Sequence, residues 1–191
     1  MMVKICGITR RADAEAAVEA GASAIGFIFT PSSPRYIEPA RAAEIGRGLD
    51  VWKVGVFVDE TAASVEAVAR AAALDIVQLY GGETPSTPRV WLAFRIGGAG
   101  SRPAMERLAE AVLLDGPANG TAFDWRLAAG AAPKLILAGG LDASNVAEAV
   151  RVARPWGVDA SSRLEIEPGV KDHEKMRQFI RAAKDALGKS A

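Results

Sequence analysis

Short apolar runs alternate with alanine-rich amphipathic stretches along the whole chain. Residues 3–6 (VKIC), 24–29 (AIGFIF), 53–58 (KVGVFV), 75–80 (DIVQLY), 90–95 (VWLAFR), 111–115 (AVLLD), 134–138 (KLILA) and 157–161 (GVDAS) read as strands. Near-continuous apolar runs of this length are expected of parallel strands covered on both faces. Helical spacing fills the intervals at residues 11–21, 39–48, 61–73, about 101–110, 144–153 and 172–187, with a short helix near Trp125. Gly21 suits a helix stop, and Pro39 suits a first turn, where its missing N–H costs nothing.

Strand–helix alternation implies right-handed crossovers and a parallel sheet. Eight such units fit a closed (βα)8 barrel, a TIM barrel, in one domain over residues 1–191. A doubly wound open sheet is the alternative. It is disfavoured because no dinucleotide fingerprint follows the first strand. One unit is defective: residues 81–89 (GGETPSTPR) hold two prolines and are near the shortest length that a crossover with its helix requires. Helix four is therefore predicted to be missing or reduced to a turn.

Composition removes several function classes. Acidic and basic residues balance at 23 each, which argues against a nucleic-acid partner. No apolar run approaches the length of a membrane span, and no signal-peptide pattern opens the chain. The one cysteine makes no internal disulfide. A cytoplasmic chain with no membrane partner is expected. One His and one Cys make no zinc cluster, so no metal is expected.

Active sites of such barrels lie at the C-terminal strand ends and the loops that follow. That position selects Cys6, Arg35, Gln78, Tyr80, Asp115, Asp124, Gly139, Gly140, Asp159, Ser161 and Ser162. The loops AGGL (138–141) and DASSR (159–163) follow strands seven and eight, where this fold commonly holds phosphate through backbone N–H groups. AGGL also reads as a plain tight turn. GGAGS (97–101) lacks a phosphate-loop pattern and reads as a loop. Asp124 before Trp125 also fits a helix N-cap, Arg35 a solvated surface residue, and His173 a surface position. Taken alone, Cys6 is most simply a small buried hydrophobe. Lys4 and Cys6, two residues apart on a strand, share a face. If that face is the barrel interior, an ammonium lies roughly 6–7 Å from the sulfur. At an effective dielectric near 20 the attraction is on the order of 2 kcal/mol, before Lys desolvation.

The ordered set VKICGIT, IGFIF, SPRYI, VGVFVDE, QLYG, FDW, LAGGL with NV after it, GVDASS and PGVKD resembles the phosphoribosylanthranilate isomerase family over almost the whole chain. The resemblance implies an isomerase of tryptophan biosynthesis with a (βα)8 barrel and no cofactor. The implied reaction is the Amadori rearrangement of N-(5-phosphoribosyl)anthranilate to 1-(o-carboxyphenylamino)-1-deoxyribulose 5-phosphate. It implies a small phosphorylated substrate and a monomer or homodimer. By the same resemblance Asp124 matches the general acid and Cys6 the general base. Arg35 matches the residue meeting the anthranilate carboxylate. Asp159 matches a polar residue at the site, and Gly140, Ser161 and Ser162 fall in the phosphate loops. Gly139 in AGGL and Gln78 at the end of strand four are expected as substrate contacts from their position. The chain departs from the family at Tyr80, where His is usual, at NGTA before FDW, where a longer glycine-rich stretch is usual, and at Arg163, where glycine is usual. These departures keep open a second function class, a shortened paralogue that binds a sugar phosphate without turnover. A third, a related synthase, is disfavoured because Lys4, Lys53 and Lys134 lie at or near strand beginnings rather than strand tips.

Overall fold

The computed structural model describes residues 1–86, 89–96, 109–117 and 123–188. Eight parallel strands close a barrel in chain order: β1 (Met2–Ile5), β2 (Ala24–Ile28), β3 (Trp52–Val58), β4 (Ile76–Tyr80), β5 (Arg89–Arg95), β6 (Ala111–Asp115), β7 (Leu135–Leu137) and β8 (Gly157–Ala160). Closure comes from β1 pairing with β8, which sets Lys4 beside Asp159. Described helices are α1 (Arg11–Glu19), α2 (Pro39–Gly46), α3 (Ala62–Ala71), α4 (Val146–Ala153) and α5 (His173–Gly188), with 3-10 turns at Trp125–Leu127 and Ser162–Leu164. The barrel is thus as expected, with strand and helix ends one or two residues from those predicted.

Side-chain alternation along each strand builds two cores. Val3, Ile25, Phe27, Phe57, Leu79 and Leu137 point outward under the helices. Met2, Ala24, Val54, Ile76, Trp91 and Leu113 point inward. Trp52, Trp91 and Trp156 close the N-terminal end of the barrel, with edge-on ring centroids 6.4 and 6.1 Å apart about Trp91. With that end plugged by apolar bulk, polar side chains gather at the other.

No helix lies between β4 and β5 among the described residues, as the two prolines and short length of that segment predict. Ser86 there is held by α3, its N–H and hydroxyl donating to Glu66 at 3.0 and 2.8 Å. The helix expected over about 101–110 lies mostly outside the described residues, and GGAGS and NGTA lie wholly outside them; Ala109 and Glu110 are not helical. A short antiparallel hairpin, β9 (Glu165–Glu167) with β10 (Val170–Lys171), follows β8 and was not legible as strands. No described helix is long and apolar enough to cross a membrane.

Candidate active site

Lys4 and Cys6 do face the barrel interior. A Cβ placed on Gly26 of β2 would lie 2.9 Å from both the Cys6 Sγ and the Lys4 Cε, so glycine is what lets the two stack there. Lys4 is fully buried, and its ammonium donates to Asp159 Oδ2 at 2.9 Å. The expected lysine beneath the thiol is therefore present, but its charge is already matched by Asp159. Burial pushes the Cys6 thiol above its ordinary value; Lys4 pulls it down, and Asp159 pushes it up again. For Lys4, burial lowers the ammonium's pKa, but Asp159 and Cys6 outweigh it and the group stays charged.

Cys6, Arg35, Gln78, Tyr80, Asp115, Asp159 and Ser161 all line one cavity of about 470 Å³. A neighbouring cavity of about 350 Å³ is lined by Gly139, Gly140, Ser161, Ser162 and Arg163. Arg35, Arg95, Asp115 and Ser161 line both, so the two are one cleft across the C-terminal end of the barrel. Its size suits a small organic ligand. Among the described residues, three buried polar atoms lining it lack a partner: Thr30 Oγ1, Gln78 Oε1 and Asp159 Oδ1. Buried polar atoms are costly unless bonded, so these are poised for ligand hydroxyl or amine groups. Thr30 carried no sequence signal beyond lying after strand two.

The glycine loop is shaped for close approach. Gly139 has φ of +92°, and a Cβ there would meet the Gly116 backbone N at 2.2 Å. Asn145 pins the same loop, its Nδ2 donating to the Gly140 carbonyl at 2.8 Å. Across the cleft, the Ser161 hydroxyl donates to the Cys6 carbonyl at 3.1 Å, joining the two strand tips.

Arg35 does not hang free in solvent. Its Nε and Nη2 fork onto Glu165 at 2.8 and 2.7 Å, leaving Nη1 uncommitted among the described residues. Glu165 is buried and also accepts from the Lys171 ammonium at 2.7 Å. Burial alone would raise the Glu165 carboxyl; Arg35 and Lys171 outweigh it and hold it low. Lys171 donates its backbone N–H to Asp13, which also binds the His173 ring at 2.8 Å. His173 is thus a partly exposed ring tied to a buried carboxylate. Sequence reading missed Glu165 and Lys171 because the hairpin that carries them shows no strand alternation.

Asp115 sits in the cleft with the Tyr80 hydroxyl donating to its Oδ2 at 3.0 Å. Burial raises the Asp115 carboxyl, and the Tyr80 hydrogen bond offsets part of that rise. Tyr80→Phe is expected to raise the Asp115 pKa and to cost about 1.5–3 kcal/mol of stability, as for a lost bond to a charged group. Carboxyl NMR titration with a thermal melt checks both.

Asp124 stands apart. Its carboxylate caps the Trp125–Leu127 turn and is forked onto Arg126 at 2.8 Å, with the side chain 44% exposed. Asp124 is not among the residues lining either cavity. Arg126 holds the carboxyl below its ordinary range.

The chain matches the family model described as N-(5'-phosphoribosyl)anthranilate isomerase over residues 3–182. A relative of that name from Solibacter usitatus is 51% identical, spanning 98% of this chain and 100% of the relative. Monomers of the dimeric phosphoribosylanthranilate isomerase from Thermotoga maritima superpose with a TM-score of 0.84 at 39% identity, covering 97% of this chain and 99% of that one. A phosphoribosylanthranilate isomerase in complex with reduced 1-(o-carboxyphenylamino)-1-deoxyribulose 5-phosphate superposes with a TM-score of 0.83 at 39% identity over the same shares.

Proposed function

The chain belongs to the phosphoribosylanthranilate isomerase family, and on that premise we propose how its own residues carry the reaction. The activity is the isomerisation of N-(5'-phosphoribosyl)anthranilate in tryptophan biosynthesis. The observation that supports the Cys6 assignment is the cleft that this thiol lines together with Gln78, Asp159 and Ser161 and that continues to the glycine–serine loops; Asp124 lies outside it and is assigned by the family resemblance.

In the proposed cycle Asp124 gives its proton to the ribose ring oxygen. The C1–O bond breaks toward that oxygen as the anthranilate nitrogen lone pair forms an iminium with C1. The Cys6 thiolate then takes the proton from C2. The C2–H electron pair becomes the C1–C2 double bond, and the iminium electrons return to nitrogen. The enolamine gains a proton on C1 and loses one from its C2 hydroxyl, giving the ketone. No electrons are gained or lost, so acid and base groups suffice for this sequence.

Charge makes two demands. Burial favours the Cys6 thiol, so its proton must pass to solvent before the base can act, and the iminium beside C2 is the cation that favours the resulting thiolate. Asp124 must leave Arg126 and hold a proton, and the approaching substrate anions favour that form. Arg35, oriented by Glu165, offers its remaining Nη1 to the anthranilate carboxylate. Gln78 and Asp159 Oδ1 bind ribose hydroxyls. Backbone N–H groups of Gly139, Gly140, Ser161 and Ser162 take the phosphate. A cytoplasmic location fits a chain whose one cysteine has this work to do. A homodimer or a monomer would each leave the cleft complete within one chain.

Decay of the fluorescence of freshly made phosphoribosylanthranilate on adding purified protein tests the activity, alongside rescue of a tryptophan auxotroph lacking only this isomerase. Ligand binding with no decay and no rescue would identify a non-catalytic paralogue instead.

A further inference from the structure

Arg163 is the one charged side chain projecting from the two glycine–serine loops into the smaller cavity. Its backbone is fixed in the Ser162–Leu164 turn: the Leu164 N–H donates to the Ser161 carbonyl at 3.0 Å, and Leu164 itself is fully buried. Its side chain, by contrast, is held only weakly. The nearest carboxylate oxygen, Asp142 Oδ2, lies 3.8 Å from Nη1, beyond hydrogen-bond reach, and the guanidinium is 54% exposed. The other oxygen of Asp142 is already committed to Ser144, whose N–H and hydroxyl both donate to it. Among the described residues nothing therefore holds the Arg163 fork strongly, while its backbone is fixed in the turn.

Two other guanidiniums line this cavity: Arg95, which belongs to β5 rather than to the loops and lies over the Tyr80 ring at 5.5 Å, and Arg35. Arg35 spends two of its nitrogens and its charge on Glu165. Backbone N–H groups of the loops supply dipoles but no net charge. A phosphate monoester is a dianion at neutral pH, with a second pKa of about 6. A guanidinium fork matches its oxygens two at a time.

We propose that Arg163 is a phosphate-binding and specificity-determining residue, swinging from Asp142 onto the substrate phosphate in the cavity lined by Gly139, Gly140, Ser161 and Ser162. The proposal rests on the phosphate reading of that cavity and adds a mobile side-chain cation to it. It makes the site selective for a dianionic ligand and sensitive to salt, which a purely backbone cradle is to a lesser degree.

The test compares the full-length protein with Arg163→Gly and Arg163→Lys. Arg163→Gly is expected to raise KM about tenfold with kcat within twofold, since a partly exposed charged contact is lost without touching the reacting atoms. The dissociation constant for inorganic phosphate, measured by calorimetry, is expected to weaken by a similar factor. Arg163→Lys is expected to recover part of both, keeping the charge and losing the fork. Unchanged KM and unchanged phosphate affinity in Arg163→Gly would overturn the proposal. So would tighter phosphate binding in that variant, which would make Arg163 an obstruction. Phosphate affinity reads Arg163 without turnover, so an inactive wild-type protein would defeat the residue roles proposed above and leave this comparison intact.

Discussion

Cys6→Ser is expected to lower kcat by about 10²–10⁴-fold with KM within a few-fold, the range for losing a positioned general base. A serine hydroxyl fits the space of the thiol but does not ionise near neutral pH, so geometry survives and the base does not. The Lys4–Asp159 pair does not depend on the sulfur, so the barrel interior stays neutralised and folded. A thermal melt beside single-turnover kinetics separates the two effects. If kcat falls less than tenfold in a normally folded variant, the base lies elsewhere, and Asp159, whose Oδ1 is unpartnered in the same cleft, is the next candidate.

Asp124→Asn is expected to cost a similar factor, about 10²–10⁴-fold in kcat, because the amide keeps the shape and has no proton to give. The wild-type residue has a sharper consequence for pH. In the free protein Arg126 holds the Asp124 carboxyl down, while burial holds the Cys6 thiol up. The working form needs the opposite assignment, with the proton on the acid and none on the base. Below the carboxyl pKa, raising the pH creates thiolate and activity rises. Between the two values each step loses protonated acid as fast as it gains thiolate, so kcat/KM is flat. Above the thiol pKa only the acid continues to be lost, and activity falls. Substrate anions raise Asp124 and the iminium lowers Cys6, so the limbs of the kcat profile should lie closer together than those of kcat/KM. Coincident profiles would mean that the substrate does not reset either group. In the Asn variant the falling limb disappears from the residual activity, because no acid remains to titrate.

The barrel was legible because strands covered on both faces must be apolar throughout, and eight such runs were separated by helical spacing. Once that frame existed, Cys6, Gln78, Asp115 and Asp159 followed from their positions at or near strand tips. The Lys4–Cys6 stack followed from alternation on β1. What could not be read was pairing between distant residues. Lys4 meets Asp159 only because β1 closes on β8. Arg35 meets Glu165 across 130 positions, through a hairpin whose EIEPGVKD sequence shows no strand periodicity. Gly26 looked like an ordinary strand residue, and only the side chains of the neighbouring strand show why nothing larger fits. Asp124 was selected by resemblance, and its actual partner, Arg126, lies two residues away in a turn that sequence alone left open between a cap and an acid.

The central claim is that the Cys6 thiol is the base. Because Cys6 is the only cysteine, the rate of alkylation by iodoacetamide against pH titrates it alone. Burial places Tyr80 well above the ordinary phenol range, and the substrate phosphate titrates near pH 6, so neither obscures a limb at the thiol pKa. The expected result is that the alkylation midpoint lies above the ordinary thiol value of about 8.5 and coincides with the high-pH limb of kcat/KM. An alkylation midpoint with no corresponding limb in kcat/KM would contradict the claim.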